Sequence, residues 1–333
     1  MTQTINHNAY AWKHGGTAVN ATSASEVARQ AGLDWTVSLV DMFAERKEKV
    51  TPWDTITKRI EVPNKQAVIR HDNNTVVGVV GTKYKAVQNM EVFSAMDSLV
   101  DSGDARYTAA GEYNNGSNIW MIMELPNGVN VADDPHAAFL LVKSSHDGSS
   151  SVVIKPVIER LFCHNQVNGL ISNGFARGGK KYNDYTYRMT HTTNQELSIK
   201  DIRNITNLTY SAIQDYELTA DVLLKRKMTR EQTVNFFKAV WPLPTTVEDK
   251  PYDLLTRGER KQQTIALDAR AKAWSIYSES ETQENIRGTA FGAWHAVVEH
   301  ADHYATGGAS RLAAATLSGR NDRVKTKALS LLV

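Results

Sequence analysis

The chain has 333 residues, 41% of them hydrophobic and 22% charged, a balance that supports a buried core and excludes a disordered polymer. A formal net charge of +2 provides no whole-molecule attraction for a polyanion, so any nucleic-acid site must be a local patch. The single cysteine, Cys163, excludes an internal disulfide framework and fits a reducing cytoplasm.

The first residues lack the basic start and apolar run of a signal peptide, and no apolar stretch approaches the roughly 20 residues of a membrane helix. A cytoplasmic protein without membrane contact is therefore expected. Residues 1–21 are polar and read as a flexible arm. Ser23 or Ser25 caps a predicted helix over 26–31 that Gly32 stops. Residues 34–45 show helical spacing at Trp35, Leu39, Met42 and Phe43 and predict a second helix. Short strands at 68–71 and 76–80 flank the turn signal Asp72-Asn73-Asn74, and an amphipathic helix follows over 89–100.

Residues 104–174 form the centre of the reading. Strands are predicted at 106–113, 118–125, 136–144 and 151–158, separated by Asn114-Asn115-Gly116, Pro126-Asn127-Gly128 and Asp147-Gly148. Residues 159–171 carry their apolar positions into a predicted helix. Downstream, helices are predicted at 199–224, 229–240, 257–278 and 285–304, with Pro242, Pro244 and Pro251 marking a break. The fold class is α+β: an antiparallel β-meander with packed helices, followed by a mostly helical C-terminal part. The expected division is a flexible arm (1–21), an α+β core domain (22–195), a helical region (196–306) and a basic tail (307–333).

Glycines, cations and tyrosines interleave after the meander. Lys155, Arg160, Arg177, Lys180, Lys181 and Arg188 face only Glu159 and Asp184 in sequence, with Tyr182, Tyr185 and Tyr187 among them. Cations suit phosphates, and aromatic faces suit unstacked bases at roughly 1–3 kcal/mol each. These nine residues are the candidate nucleic-acid site; the alternative is a solvated loop whose tyrosines pack back on the core. The tail adds Arg311, Arg320, Arg323, Lys325 and Lys327 against Asp322, either a phosphate-attracting arm or a solvated terminus.

Other chemistry is less favoured. Gly174 to Lys180 approaches a phosphate-binding loop, but Lys181 stands where Ser or Thr would hold magnesium. His146-Asp147 and Cys163-His164 suggest a nucleophile and base, yet His146-Asp147-Gly148 sits at a turn and Cys163 in an apolar stretch. His295, Glu299, His300 and His303 have helical spacing without a shared face, so no metal and no catalytic residue is assigned. No cofactor is expected.

Several short motifs together resemble a phage- and plasmid-borne family built on a domain of unknown function, family 932. They are Gly81-Thr82-Lys83-Tyr84 with Val87-Gln88-Asn89, Ala110-Gly111, Ser145-His146-Asp147-Gly148-Ser149, Arg160-Leu161-Phe162-Cys163-His164-Asn165, and Gly288 through Trp294. The family's usual C-x-N-T departs here, with Gln166 after Asn165. A hairpin-rich sheet, a helix and then a basic segment is also similar to single-strand annealing recombinases. That analogy implies a non-enzymatic, ATP-independent protein that binds and anneals single-stranded DNA in phage recombination or replication. It also implies a homo-oligomeric ring or filament in a bacterial host's cytoplasm. The rival expectations are a metal-dependent nuclease or hydrolase using His146, Asp147, Cys163 or His164, and a non-catalytic assembly or host-interaction protein.

Overall fold

The computed structural model describes residues 16–126, 128–132, 134–161, 165–166, 185–189, 191, 199–305, 315, 317 and 319–333. The strands are β1 (Gly16–Ala18), β2 (Val37–Thr51), β3 (Asp54–Arg70), β4 (Thr75–Gly81), β5 (Arg106–Tyr113), β6 (Asn118–Glu124), β7 (Val129–Val131), β8 (Asp134–Ser145), β9 (Val152–Arg160), β10 (Asn165–Gln166) and β11 (Tyr187–Met189). The helices are α1 (Ala24–Ala31), α2 (Asn89–Ser94), α3 (Asp97–Asp101), α4 (Ile199–Lys225), α5 (Arg230–Val240), α6 (Thr245–Glu248), α7 (Arg257–Glu279), α8 (Ala290–Glu299) and α9 (Asp322–Ser330). This is the α+β arrangement that the patterning anticipates, with the strands in the N-terminal half and most helices after them.

The main sheet runs β1-β5-β6-β8-β9, with β7 on β8 and both β10 and β11 on the outer edge of β9. All its pairings are antiparallel. Strands β6, β8 and β9 are apolar at both parities, because both faces of the sheet are covered. One face, through Met121, Leu140, Val142, Ile154 and Ile158, joins a core that extends from Val19 to Leu332 and takes in α1, α2, α4, α5 and α8. The other face, through Trp120, Ile122, Phe139, Leu141 and Val157, packs on Leu317 of the C-terminal segment. Gly16 permits this packing at the edge, since a Cβ there would lie 2.3 Å from the Trp120 ring.

A second sheet, β2-β3-β4, differs from the sequence reading. Residues 34–45 predict a helix; the chain instead enters β2, whose Val37–Asp41 half pairs with residues 66–70 of β3. The helical spacing at Trp35, Leu39 and Met42 is outweighed by ladder hydrogen bonds extending to the tip at Thr51 and Asp54. Two further corrections concern helices. Residues 159–160 end β9 and residues 165–166 form β10, where the predicted helix over 159–171 would have begun. The helix predicted over 89–100 breaks at Ala95 and Met96 into α2 and α3. Local capping otherwise follows the sequence. Ser23 caps α1, which Gly32 ends at φ 66°, and Thr229 and Thr256 form capping boxes with Gln232 and Glu259. No described helix is long and apolar enough to cross a membrane.

Candidate nucleic-acid interface

Strand alternation decides which cations can cooperate, because neighbours in sequence project to opposite faces. In register across the main sheet, Lys143 of β8 stands opposite Val153 of β9, and Val153 stands opposite Arg188 of β11. Lys155 lies two residues beyond Val153, on the same face. The row therefore brings Lys143, Lys155 and Arg188 together on the face that Leu317 partly covers. Lys143 donates to the Leu317 carbonyl at 3.4 Å, and Lys155 lies 3.3 Å from the Asp322 carboxylate. Arg188 is exposed, as are Arg320 and Arg323 on either side of Asp322 in sequence. Strands β8, β9 and β11 thus contribute three cations to one neighbourhood that contains Asp322. Burial, and then the charges of Lys155 and Arg188, push the Lys143 ammonium down to about 8.

The sequence-predicted residues divide between the two faces. Lys155 and Arg188 belong to the row. Arg160 does not: it projects to the helix-covered face and is fully buried in an ion pair with Asp134. Its other guanidinium nitrogens donate to the Thr282 carbonyl and to Asn285 Oδ1 at 2.8 Å. A phosphate cannot reach it without dismantling that contact. Tyr185 is buried in the core, where its hydroxyl donates to Asp215 of α4. Tyr187 pairs with Ile154 and is half-buried, its hydroxyl held by Asp201. Both tyrosines accordingly face the helices and away from the cations. Arg177, Lys180, Lys181 and Tyr182 lie outside the described residues, as do Cys163, His164 and Arg311.

Lys143 was missed because it stands alone among apolar residues, and only strand pairing places it beside Arg188. A single lysine within the strand pattern from Ala137 to Ser145 was the available signal.

Several of the described histidines are held in internal contacts. His136 Nδ1 donates to the Asp134 carbonyl at 2.8 Å, so its Nε2 accepts from the Tyr216 hydroxyl at 2.8 Å. Tyr216 in turn lies 3.4 Å from His295 Nε2. Glu299 accepts from Thr282 and Gln283, and His300 meets the edge of Trp241. The candidate metal ligands of this helix therefore go to different partners, and among the described residues no group of three or more His, Cys, Asp and Glu could hold a metal ion. His146 is buried, donating to Asn89 Oδ1 at 2.8 Å while Asn89 Nδ2 donates to the Leu33 and Trp35 carbonyls. Asp147 instead accepts from the Ser149 amide in a turn, which leaves no His146–Asp147 dyad. Burial pushes both His136 and His146 down to about 4.

That turn is also the root of the second sheet. Ser117 Oγ donates to the Val77 carbonyl, and a Cβ on Gly78 would lie 2.5 Å from the Asp147 Cα and the His146 carbonyl oxygen. Arg70 of β3 pairs with Asp72 and with Glu112 of β5, and stacks on Trp35. Beyond this root, residues 43–61 form a two-stranded ribbon in which residues 49–61 are all exposed, and Trp53 at its tip is 96% exposed.

A family model described as "Domain of unknown function (DUF932)" matches residues 76–330, well over half the chain. No curated protein and no solved structure matches it.

Proposed function

The chain belongs to the family of the DUF932 domain of unknown function, and we propose, from its own geometry, that it binds single-stranded DNA and anneals it to a complement without ATP. The observation that carries the reading is the gathering of Lys143, Lys155 and Arg188 on one sheet face, from three strands brought together by register. Cations held this close repel one another, and a polyanion relieves that repulsion while releasing its counterions. An unpaired strand suits a short row because its flexible backbone can bring successive phosphates onto it. Recombination or replication of phage or plasmid DNA is the proposed setting, in a bacterial cytoplasm. A homo-oligomer is the proposed working form, since annealing requires many such rows along one strand.

Fluorescence anisotropy with a labelled oligonucleotide tests the binding. Affinity is expected to fall steeply with salt, and Arg188→Gln is expected to weaken binding equally for different sequences while lowering the salt slope by about 0.7. Annealing is read with a fluorophore and quencher on complementary strands in the absence of nucleotide. Salt-independent binding, or unchanged affinity in Arg188→Gln and Lys143→Gln alike, would remove the row from the mechanism.

A further inference from the structure

The ribbon carries an unusual load for a two-stranded element. Isolated hairpins are marginal in water, yet this one exposes Val50, Trp53, Ile56 and Ile60 along roughly 25 Å of paired strand. Its outer part is also basic: residues 46–58 hold Arg46, Lys47, Lys49 and Lys58 against Glu48 and Asp54. Arg46 and Lys58 stand directly opposite one another, a like-charge pair that Lys58 partly offsets through Glu48 at 2.7 Å. Exposed apolar residues ringed by cations call for a partner that is apolar and acidic.

The same chain carries such a surface. A pocket of about 550 Å³ opens between β7 and α4, lined by Val131, Leu218 and Leu224 with Glu217 and Asp221. Leu218 and Val222 are 59% and 52% exposed beside it. Residues 214–224 of α4 hold Asp215, Glu217 and Asp221 and no cation; Lys225, the next along, pairs with Asp221 at 2.7 Å.

Placement rules out closure within one molecule. β7 pairs with residues 134–136, the first end of β8, whereas the ribbon is rooted beside residues 145–147 at the other end. Twelve residues of strand, roughly 40 Å, separate the two, and the ribbon's outer residues are exposed rather than folded back. We infer that the Trp53 tip of one copy docks in the α4–β7 pocket of the next. Such a contact joins two different surfaces, so repeating it builds a ring if the rotation closes and a filament if it does not. This deepens the self-associating part of the proposed function and does not depend on nucleic acid.

The test is sedimentation velocity on the full chain without DNA, over a concentration series. Wild-type mass should grow with concentration, and Trp53→Asp and Leu218→Asp should each abolish that growth. Both positions are exposed, so circular dichroism should show intact folds. Mixing the two variants is the decisive arm. The intact ribbon of Leu218→Asp fits the intact pocket of Trp53→Asp, giving one-to-one dimers that grow no further. A wild type that stays monomeric, a variant that associates like wild type, or a mixture that remains monomeric overturns the inference. So does a Trp53→Asp chain that keeps its mass while losing oligonucleotide binding, because the ribbon would then be a nucleic-acid arm. A short oligonucleotide, long enough for one copy only, separates this outcome from the fate of the cation row. Binding to it should survive in both variants if the row acts alone, and should fail in all three chains if the row does not bind DNA.

Discussion

On the helix-covered face of the main sheet, Arg160 is enclosed by Asp134, Asn285 and the Thr282 carbonyl; on the opposite face, Lys143 donates to the Leu317 carbonyl at 3.4 Å and has two more cations as neighbours. Both side chains project from adjacent antiparallel strands of one sheet. The first arrangement is a junction, in which a charge is neutralised and its hydrogen bonds are directed so that helices can be fixed to strands. The second brings three cations together around a single carboxylate, Asp322, which holds Lys155. Cations adjacent in sequence therefore do different work according to their parity along a strand, as Lys155 and Arg160 illustrate within five residues.

The largest effect should come from breaking the junction. Arg160→Met leaves Asp134 buried without its guanidinium and is expected to lower stability by about 3–5 kcal/mol, read from urea unfolding at neutral pH. Arg160→Met combined with Asp134→Leu should recover much of the loss, because the uncompensated carboxylate is gone. If the single substitution behaves like a surface change, within roughly 0.5 kcal/mol, the contrast between the two faces is lost.

Next in size, taken ring by ring, is the response to acid. His136, His146 and His300 are held by burial at about 4, against an ordinary value near 6.5. Between those limits the unfolded chain binds protons that the folded chain refuses. The stability these groups supply is thus complete above about pH 6.5 and is lost as pH falls toward 4, by up to roughly 3 kcal/mol each. Unfolding midpoints measured from pH 7 down to 4.5 should fall steadily, and His146→Gln should flatten part of the decline. A midpoint that holds constant over this range would mean that the three rings are solvated.

Much of the meander could be read from sequence because its turns are marked by residues that tolerate positive φ: Asn114, Asn115 and Gly116 adopt 54°, 56° and 86°, and Gly148 adopts 74°. The long helices were legible from their apolar spacing and caps. The ribbon was not, since Leu39, Met42 and Phe43 fit a helical period by coincidence and its outer residues are mixed apolar and charged on both faces. The cation row was only half legible: Lys155 and Arg188 stood out as charges, but their alignment with Lys143 exists only through long-range strand register. The motifs that carried the family resemblance turn out to be junctions. Asn89 meets His146, Tyr84 donates to the Ser145 carbonyl, and Arg160 reaches the loop before α8. Residues that hold a fold together identify a family well and say little about its chemistry.

The smallest effect is also the one most specific to the second face. Lys143 has a folded value of about 8 against an ordinary value near 10.5, so it loses its proton on folding when the pH lies between them. Folding stability from this group therefore rises with pH from about 8 to 10.5, opposite in trend to that from a lysine held in an ion pair. Bound phosphate would favour the charged ammonium and draw a proton back. Affinity for single-stranded DNA should accordingly weaken by a few-fold, about one phosphate contact, as pH rises from 7 to 9. Lys143→Gln removes the titrating group and should bind at pH 7 about as weakly as wild type does at pH 9, with its pH dependence gone and its stability near pH 7 equal to wild type or slightly higher. An affinity that falls with pH just as steeply in Lys143→Gln would assign the titration to another group and leave Lys143 as a buried lysine capped by a carbonyl.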